Sequence, residues 1–591
     1  MGIVASIQSA VSKVLHDQFQ VSIPEAQIAV NETKPEFEGD YTVVLFNFVK
    51  QLKKAPEQLG QELGDALTKA TPDLFESYNV IKGFLNLSIA DSYWTSLVEK
   101  EAANKLFGTA PASGKKVMVE YSSPNTNKPL HLGHLRNNFL GWSIAQIYKM
   151  NGYEVAKTCI SNDRGIHICK SMIAWERFGN GATPESTGIK GDHLVGDYYV
   201  MFGEELKKEV AALVEKGMSK EEAEKSAPIQ LAAQQMLVDW EAGKPEVIEL
   251  WKKMNSWVYS GFKVTYKRIG SDFDKQYYES DTYLLGKDMV QQGLEKGVFF
   301  QKEDGSVWID LTADGLDQKI VQRKDGTAVY ITQDIGLADL KQKEFGSDIS
   351  IYVVGDEQNY HFKVLKLICE KLGLKGAEGI YHLSYGMVEL PTGRMKTREG
   401  TVVDADDIVD EMESIAAKLT EELGKVNDFT EEERKELYHT LGMGALKFFL
   451  LRVDPKKRMI FNPEESIDFH GFTGPFIQFS HARAKSILRK EQPSFSKITV
   501  ASLHKQEKQL IIELEKYPSI LADACKEMNP SVISNYVFKL AQSFNSFVTE
   551  CRVLTAETPE QKELRLQLCS FSVHVISTAM NALGIAVPDR M

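Results

Sequence analysis

Two histidines, His131 and His134, have the type and spacing to bind phosphate groups. They are three positions apart, so one turn of a helix can present both rings on the same face. Gly133 between them leaves room for a flat ring close to the backbone. At the N-terminus of a helix, free N–H groups and the positive end of the helix dipole attract an anion. Two histidines in that place would suit the phosphates of a nucleotide.

The flanking residues predict the elements that would position these side chains. A β-branched run at 116–120 precedes the polar stretch 121–138, and a helical pattern follows it. Helical segments alternate with further strand-like runs at 153–160, 349–354 and 381–388. This alternation predicts a parallel α/β sheet. Nucleotides bind such sheets at the carboxyl ends of the strands, where the turn with the histidines would lie.

Length and composition limit the class of protein. The 591 residues predict three or four domains, and 43% hydrophobic with 26% charged residues is typical of a soluble globular protein. No apolar run approaches about 18 residues and the N-terminus lacks a signal-peptide pattern, so we expect no membrane association. The six cysteines contain no CxxC pair, which argues against structural zinc and disulfides and favours a reducing cytoplasm.

The net charge of −13 opposes nucleic-acid binding by the chain as a whole, because phosphate contacts need Lys and Arg. Whole-chain charge governs solubility and long-range steering, however, and does not exclude a local basic surface. The motifs must therefore decide whether nucleic acid is a partner.

The motif His131-Leu132-Gly133-His134 resembles the HIGH signature of class I aminoacyl-tRNA synthetases. The longer string SSPNTNKPLHLGHLRNN, residues 122–138, resembles its form in arginyl-tRNA synthetases. The resemblance extends over essentially the full chain. It implies a multidomain α/β protein with a Rossmann-like parallel-sheet catalytic domain, an α+β N-terminal domain and an all-α C-terminal anticodon-binding domain. The implied reaction is the ATP-dependent attachment of L-arginine to tRNA(Arg) through an arginyl-adenylate, with release of AMP and pyrophosphate.

The resemblance also implies a division of the chain into four parts. We expect an additional tRNA-corner-binding domain at 1–110, the catalytic domain at 115–390 with a helical insertion at about 170–270, a KMSKS-like loop and helical connector at 391–465, and a helical anticodon-binding domain of the DALR type at 466–591. In the first part, residues 46–67 have the clearest amphipathic pattern and predict one helix.

The resemblance implies that two signature motifs and one strand bind ATP. His131, Gly133 and His134 would contact ATP, and the backbone at Met387 and Val388 would bind adenine. The string GRMKTREG at 393–400 takes the place of the KMSKS loop but departs from its register. Lys396 and Arg398 keep positive charge there, and Lys128 just before the first signature would replace the second lysine. The expected catalytic residues are therefore His131, His134, Lys128, Lys396 and Arg398. Mg2+ is expected with ATP, and no metal ligands are expected on the protein.

A pocket for arginine needs carboxylates that can accept the guanidinium group. Tyr330 and Asp334 are four positions apart and would share one helix face, where a phenol and a carboxylate can orient the planar donor group. Glu279 follows the acidic and aromatic string SDFDKQYY. Taken alone, each acid is better explained as a solvated surface charge. The resemblance to the family favours both as arginine ligands.

Other residues resemble the family's ligands for the α-amino and carboxylate ends of arginine. These are Ser123 and Asn125 in the opening turn and Gln358 after a predicted strand, with Glu120 supporting them. His361 would follow Gln358 on a helix, where a core or supporting position is as well explained as direct contact.

Four residues are candidates for tRNA contacts. In the N-terminal part, Phe84 could stack on a base and Asn86 could hydrogen-bond to one. The alternative is that Phe84 is a core residue and Asn86 a turn residue. Tyr536 and Met591 resemble family positions near the anticodon.

Two other classes of protein remain as alternatives. A small-molecule nucleotidylyltransferase would share the HxGH turn but would not need the additional N- and C-terminal domains. A non-catalytic tRNA-binding paralogue would keep those domains and lose the phosphate ligands, whereas both histidines and Lys128 are present. The expected partners are thus tRNA(Arg), L-arginine and ATP, bound by a monomer.

Overall fold

A computed structural model of the chain describes residues 2–34, 36–389, 391, 403–422, 424 and 426–591. The predicted loop residues Lys396 and Arg398 lie outside these ranges. Within them, no helix combines the length and apolar character needed to cross a membrane.

The N-terminal part is an antiparallel sheet packed against helices. Its elements are α1 (Ile3–Phe19), β1 (Val30–Glu32), β2 (Tyr41–Val44), α2 (Phe46–Leu52), α3 (Pro56–Ala70), β3 (Phe75–Ile81), β4 (Phe84–Ile89) and α4 (Asp91–Glu101). The strand order is β1-β2-β4-β3. Helix α3 approaches the sheet closely at Gly64, where a Cβ atom would lie 2.3 Å from the ring of Tyr78 on β3.

The amphipathic pattern at 46–67 does not form the single helix that it predicts. Helix α2 ends at Leu52, Lys53 has a left-handed backbone with a φ of 51°, and α3 begins at Pro56. Proline fits the first turn of a helix, but inside a helix it removes an N–H donor and its ring clashes with the preceding turn. The pattern therefore spans two helices.

The central part contains the parallel sheet. Its elements are β5 (Lys116–Glu120), α5 (Leu132–Met150), β6 (Glu154–Ser161), α6 (Ile166–Phe178), α7 (Pro184–Thr187), α8 (Gly191–Glu215), α9 (Lys220–Ser226), α10 (Pro228–Glu241), α11 (Pro245–Ile269), β7 (Lys275–Tyr278), α12 (Glu279–Thr282), α13 (Lys287–Glu295), β8 (Phe300–Gln301), β9 (Val307–Ile309), β10 (Lys319–Gln322), α14 (Tyr330–Phe345), β11 (Ile349–Gly355), α15 (Asn359–Lys371), β12 (Ile380–Tyr385) and β13 (Val388–Glu389). Five strands form the sheet in the order β12-β11-β5-β6-β7, and all neighbours are parallel.

Four of these strands, β5, β6, β11 and β12, correspond to the strand-like runs of the sequence. In the central strand β5, Val117, Met118 and Val119 are all buried, because a parallel sheet covered on both faces hides consecutive side chains. The sequence does not predict the edge strand β7, whose residues KQYY are polar or aromatic and mostly half-buried.

The helices α6 to α11 form the predicted insertion, with α8 packed against α6 and α11. A second, antiparallel sheet with the order β10-β9-β8 follows β7. The sequence does not predict this sheet, because its strands are too short to show a period.

The C-terminal part is almost entirely helical. Its elements are α16 (Ala405–Glu422), α17 (Glu431–Leu451), β14 (Met459–Ile460), α18 (Pro463–Ser466), α19 (Gly474–Lys490), α20 (Lys505–Glu515), α21 (Tyr517–Glu527), α22 (Ser531–Glu550) and α23 (Pro559–Ala582). The short strand β14 pairs in parallel with β13. The first and last parts of the chain touch, since Lys508 on α20 lies 2.9 Å from Asp40. The expected fold class, with a parallel-sheet domain between an α+β part and a helical part, is confirmed.

Candidate active site

His131 and His134 form the N-terminal turn of α5. His131 is the residue before the helix, and its Nδ1 accepts a hydrogen bond from the N–H of Gly133 at 3.1 Å. The Nδ1 of His134 accepts one from the N–H of His131 at 3.2 Å. Because both Nδ1 atoms accept, each neutral ring carries its proton on Nε2. Both rings therefore offer an N–H donor, and their centroids are 4.0 Å apart.

The surroundings keep both histidines neutral. Burial, together with the charge of the nearby Lys128, lowers the pKa of His131 to about 4. Burial also holds the pKa of His134 well below its usual value, with His131 and Lys128 acting in the same direction. The turn can therefore bind phosphate through neutral donors and the helix terminus, and Lys128 is its positive charge.

The segment that resumes at residue 403 packs against this turn. Asp404 and His131 form a backbone bridge. On the other side, Nε2 of His193 on α8 lies 3.1 Å from the Asp404 carboxylate and 3.4 Å from that of Asp406. The ammonium group of Lys190 is 2.6 Å from Asp406. The insertion and the chain after the KMSKS-like loop are thus joined beside the histidines.

Met387 and Val388 follow the carboxyl end of β12, on the same side of the sheet as the histidine turn. Val388 is buried in the pair β13–β14, whereas Met387 is 39% exposed. This is the place where adenine is expected, and that assignment stays a prediction.

A pocket of about 970 Å³ lies beyond the carboxyl ends of β6 and β7. Four residues predicted to bind arginine line it: Asn125, Glu279, Tyr330 and Asp334. Asn125 belongs to the same turn as the histidines, so the pocket and the phosphate site share one segment. The other three predicted residues, Glu120, Ser123 and Gln358, are not among the lining residues.

The pocket is acidic. Burial raises the pKa of Glu279 to about 7, and the neighbouring Asp163 and Asp334 also raise it. Among the described residues, no cation forms an ion pair with Glu279. Asp334 lies on α14 one turn after Tyr330, and its Oδ2 is 2.6 Å from Nε2 of His361. His361 therefore supports Asp334. The sequence allowed such a supporting position for His361 as an alternative to direct contact with arginine. A carboxyl group that its surroundings discourage from ionising is typical of a binding site for an external cation.

The cations Lys287, Arg323 and Arg164 also line the pocket, and Arg164 acts on the charge of Glu279. Its guanidinium donates to Glu241 on α10 at 2.6 Å and lies 4.0 Å from the ring centroid of Tyr283. The charge of Arg164 acts to lower the pKa of Glu279, but burial raises that pKa by more. These contacts leave the Glu279 carboxylate without an ion-pair partner among the described residues, while Asp334 is paired only with His361.

Asp163, which sequence analysis missed, fixes the position of Glu279. Its carboxylate accepts from the N–H of Ser280 at 2.9 Å, from the Ser280 hydroxyl at 2.8 Å and from the Tyr259 hydroxyl on α11 at 2.7 Å. The only indication in the sequence was an acid at the end of a strand-like run, which is a common place for ligands in parallel sheets.

Glu120 is buried and paired with Lys341 on α14, which also lies 5.1 Å from the ring centroid of Tyr352. In this structure the carboxylate faces that lysine and does not line the pocket, so Glu120 is no direct arginine ligand here and its supporting role stays a prediction. Ser123 has a left-handed backbone with a φ of 45°, and its carbonyl accepts from Asn162. Gln358 is exposed just before α15.

The candidate tRNA contacts in the N-terminal part differ in exposure. Phe84 is 40% exposed at the start of β4, with its ring 5.5 Å from that of Phe46. Asn86 is 1% exposed, accepts from Thr42 at 2.6 Å and donates to Asn79 at 2.8 Å. Its prediction as a base contact is corrected, because both ends of the amide are already bonded inside the sheet.

The C-terminal candidates also differ. Tyr536 is buried on α22, its ring is stacked on Tyr517, and its hydroxyl donates to the carbonyl of Glu513 at 2.8 Å. Its prediction as an anticodon contact is corrected, because no base can reach this ring. Met591 is half-buried against the helical core and stays a prediction.

Family models cover nearly the whole chain. The model described as tRNA synthetases class I (R), catalytic domain, matches residues 97–462. The DALR anticodon binding domain matches residues 477–591, and the arginyl tRNA synthetase N terminal domain matches residues 5–89.

Individual proteins agree with these models. The chain is 52% identical to the arginine–tRNA ligase of Flavobacterium psychrophilum over 99% of each chain, and 51% identical to that of Bacteroides thetaiotaomicron over 100% of this chain and 99% of the relative. The solved structure of Thermus thermophilus arginyl-tRNA synthetase has the same fold, with a TM-score of 0.77 at 24% identity over 99% of both chains. The Plasmodium falciparum enzyme has a TM-score of 0.76 at 18% identity, over 100% of this chain and 99% of that one. The chain therefore belongs to the arginyl-tRNA synthetases, a family of class I aminoacyl-tRNA synthetases.

Proposed function

We propose that the acidic pocket and the histidine turn together perform the reaction of this family, the ATP-dependent attachment of L-arginine to tRNA(Arg). The observation that supports these sites is that Glu279 and Asp334 line one pocket with Asn125, which belongs to the turn of His131 and His134. An arginine bound there would present its carboxylate toward the phosphate site.

The guanidinium group of arginine would lie between Glu279 and Asp334, with the Tyr330 hydroxyl as a further acceptor. A planar group with five donors matches two carboxylates, whereas lysine offers only a point charge. Asn125, Ser123 and Gln358 would bind the α-amino and carboxylate ends. Glu120 would hold the shape of the strand end through Lys341.

In the first step, the α-carboxylate oxygen of arginine attacks the α-phosphorus of ATP, and the bond to the β-phosphate oxygen breaks. The products are arginyl-adenylate and pyrophosphate. In the second step, a terminal ribose hydroxyl of the tRNA attacks the adenylate carbonyl, and AMP leaves with the former carboxylate oxygen. The reaction requires no side-chain nucleophile, because positioning and stabilisation of phosphate charge supply the acceleration.

His131 and His134 would donate their Nε2–H groups to the phosphates, and Lys128 would supply positive charge. Lys396 and Arg398, which lie outside the described residues, stay proposed for the same role. Beside His131, the carboxylates of Asp404 and Asp406 are already paired with His193 and Lys190. Mg2+ would therefore be held mainly by the phosphate oxygens of ATP, whose charge it neutralises.

The tRNA would contact both ends of the chain. Residues 1–110, with Phe84, are proposed to bind its outer corner, and residues 466–591, with Met591, its anticodon arm. We also propose that the protein acts as a monomer in a reducing cytoplasm, which its six buried, unpaired cysteines favour.

Pyrophosphate exchange tests the proposed sites and the alternatives together. Exchange of labelled pyrophosphate into ATP is expected with arginine alone among the amino acids, and only when tRNA is present. Exchange without tRNA would remove the proposed coupling but keep the activity. No exchange with any amino acid would favour the tRNA-binding paralogue.

The same assay tests the arginine pocket. Asp334→Asn should raise the KM for arginine about 10- to 100-fold, because a hydrogen bond to a charged group contributes about 1.5–3 kcal/mol, while the KM for ATP stays nearly unchanged. Asp339→Asn is the matched control, since Asp339 lies on the same helix and pairs with Lys343 at 2.6 Å. Equal effects of the two variants would refute the assignment.

A further inference from the structure

Arg136 is a buried cation two residues after His134, and its surroundings are unusual for a charge. It is 1% exposed, and among the described residues no carboxylate forms an ion pair with it. Its guanidinium donates to backbone carbonyls, those of Gly386 at 2.6 Å, Lys457 at 2.9 Å and Pro455 at 3.2 Å. A buried charge is costly unless its surroundings compensate it, so a guanidinium held by neutral carbonyls calls for a reason besides packing.

The carbonyl of Gly386 belongs to the same peptide group as the N–H of Met387. Among the described residues, none accepts a hydrogen bond from this N–H, while the Met387 carbonyl accepts from Met459 at 3.1 Å. A charged donor on the carbonyl polarises the peptide group and makes its N–H a stronger donor. The result is a polarised N–H at the exposed residue Met387, beyond the carboxyl end of β12.

Gly386 is packed so closely that this peptide has little freedom. Its N–H donates to the Pro455 carbonyl at 2.9 Å, and a Cβ atom on it would lie 2.7 Å from the carbonyl carbon of Lys457. The guanidinium of Arg136 donates to the Gly386 carbonyl and also to the carbonyls of Pro455 and Lys457, so it holds the two segments that meet here. The helix that begins with the phosphate-binding histidines therefore also fixes the peptide at the expected adenine site.

We propose that Arg136 is a positioning residue for ATP, which holds and polarises the Gly386–Met387 peptide so that the Met387 N–H donates to N1 of adenine. The proposal rests on the proposed function, in which ATP binds here. Lysine cannot replace arginine in this role, because one ammonium group cannot reach the three carbonyls in the fixed planar arrangement of a guanidinium.

The test combines Arg136→Lys with a nucleotide that lacks the acceptor. With ATP, the variant should raise the KM for ATP about tenfold, as expected for the loss of one charge-assisted hydrogen bond, while the KM for arginine changes little. With 1-deaza-ATP, in which N1 is replaced by a C–H group, wild type and variant should differ less than about twofold. A purely structural Arg136 would affect both nucleotides equally, and that outcome would overturn the proposal.

Arg565→Lys is the matched control. Arg565 is also buried, but it donates to Glu507 at 2.6 Å and to the Arg552 carbonyl at 2.8 Å in the C-terminal part, away from the ATP site. Its replacement should lower stability without changing the ratio of the KM values for ATP and 1-deaza-ATP.

A measurement on the wild-type chain keeps the proposal testable if Arg136→Lys does not fold. In protein labelled with 15N-methionine, the Met387 amide resonance, assigned with Met387→Leu, should move downfield with ATP and not with 1-deaza-ATP. An unchanged Met387 resonance with ATP would overturn the proposal. Failure of the proposed function can be distinguished from failure of this proposal. In that case the wild-type protein itself would show no arginine-dependent pyrophosphate exchange.

Discussion

Glu279 illustrates how buried neighbours can set the pH dependence of binding. Burial and two nearby acids raise the pKa of its carboxyl group to about 7. Below that pH the carboxyl group of the free protein is protonated and cannot pair with a guanidinium. We therefore expect kcat/KM for arginine to fall by up to about tenfold per pH unit below pH 7 and to level off above it.

A pH profile of arginine-dependent pyrophosphate exchange between about pH 6 and pH 8.5 measures this effect. Glu279→Gln should lower kcat/KM at every pH and remove the change near pH 7. The KM for ATP serves as the internal control, because ATP is not expected to contact Glu279. If the inflection persists in Glu279→Gln, another group causes it.

At the residue scale, the sequence predicted side chains that act together within one short segment. His131 with His134, and Tyr330 with Asp334, are close in the chain, so helical spacing alone brings them together. Partners that are distant in the chain were missed. Arg136 and its acceptor Gly386 are an example, because a local sequence pattern does not predict a contact between a helix and the end of a distant strand.

Residue type alone also failed to separate surface from core. Asn86 and Tyr536 have the chemistry of nucleic-acid ligands, but both are buried and bonded inside the protein. Their exposure depends on the packing of neighbouring elements, which the sequence did not reveal.

At the scale of elements, the buried pair Lys341–Glu120 joins helix α14 to the end of strand β5. Lys341→Met would leave a buried carboxylate without its partner, which typically destabilises a protein by about 3–5 kcal/mol. We expect a clearly lower melting temperature in a thermal unfolding experiment, and recovery of most of it in the double variant Lys341→Met/Glu120→Gln.

Lys343→Met is the control on the same helix. Lys343 pairs with Asp339 at 2.6 Å, but its side chain is 69% exposed, so its loss should change the melting temperature little. Equal effects of the two lysine variants would mean that the Glu120 pair does not determine stability. No recovery in the double variant would point to lost packing of the lysine chain instead.

The elements were predicted to different extents for physical reasons. Strand-like runs identified β5, β6, β11 and β12, and those of β5 and β11 are apolar because strands buried on both faces need such residues. The edge strand β7 and the small sheet β8–β10 have short or polar strands and were missed. The break at Pro56 was missed because the amphipathic period continues across it.

At the scale of the whole molecule, a net charge of −13 argues against a nucleic-acid substrate. Family membership resolves this, since binding depends on the local surface and not on the sum of charges. The N- and C-terminal parts are proposed to bind one tRNA, and they contact each other through Lys508 with Asp40 and Lys516 with Glu32. Their relative position would therefore be fixed before tRNA arrives.

Phe84 tests whether the N-terminal part contributes to tRNA binding. Stacking of a base on an aromatic ring contributes about 1–3 kcal/mol, so Phe84→Ala should raise the KM for tRNA about 5- to 100-fold. At saturating tRNA, the rate of arginine activation should stay the same, because Phe84 lies in a different part of the chain from the pocket. Phe300→Ala is the control, since Phe300 is 36% exposed on the small sheet, where no tRNA contact is proposed. Aminoacylation kinetics with varied tRNA measure both variants. If the two raise the KM for tRNA equally, Phe84 does not stack on a base, and the N-terminal part must bind tRNA through other residues.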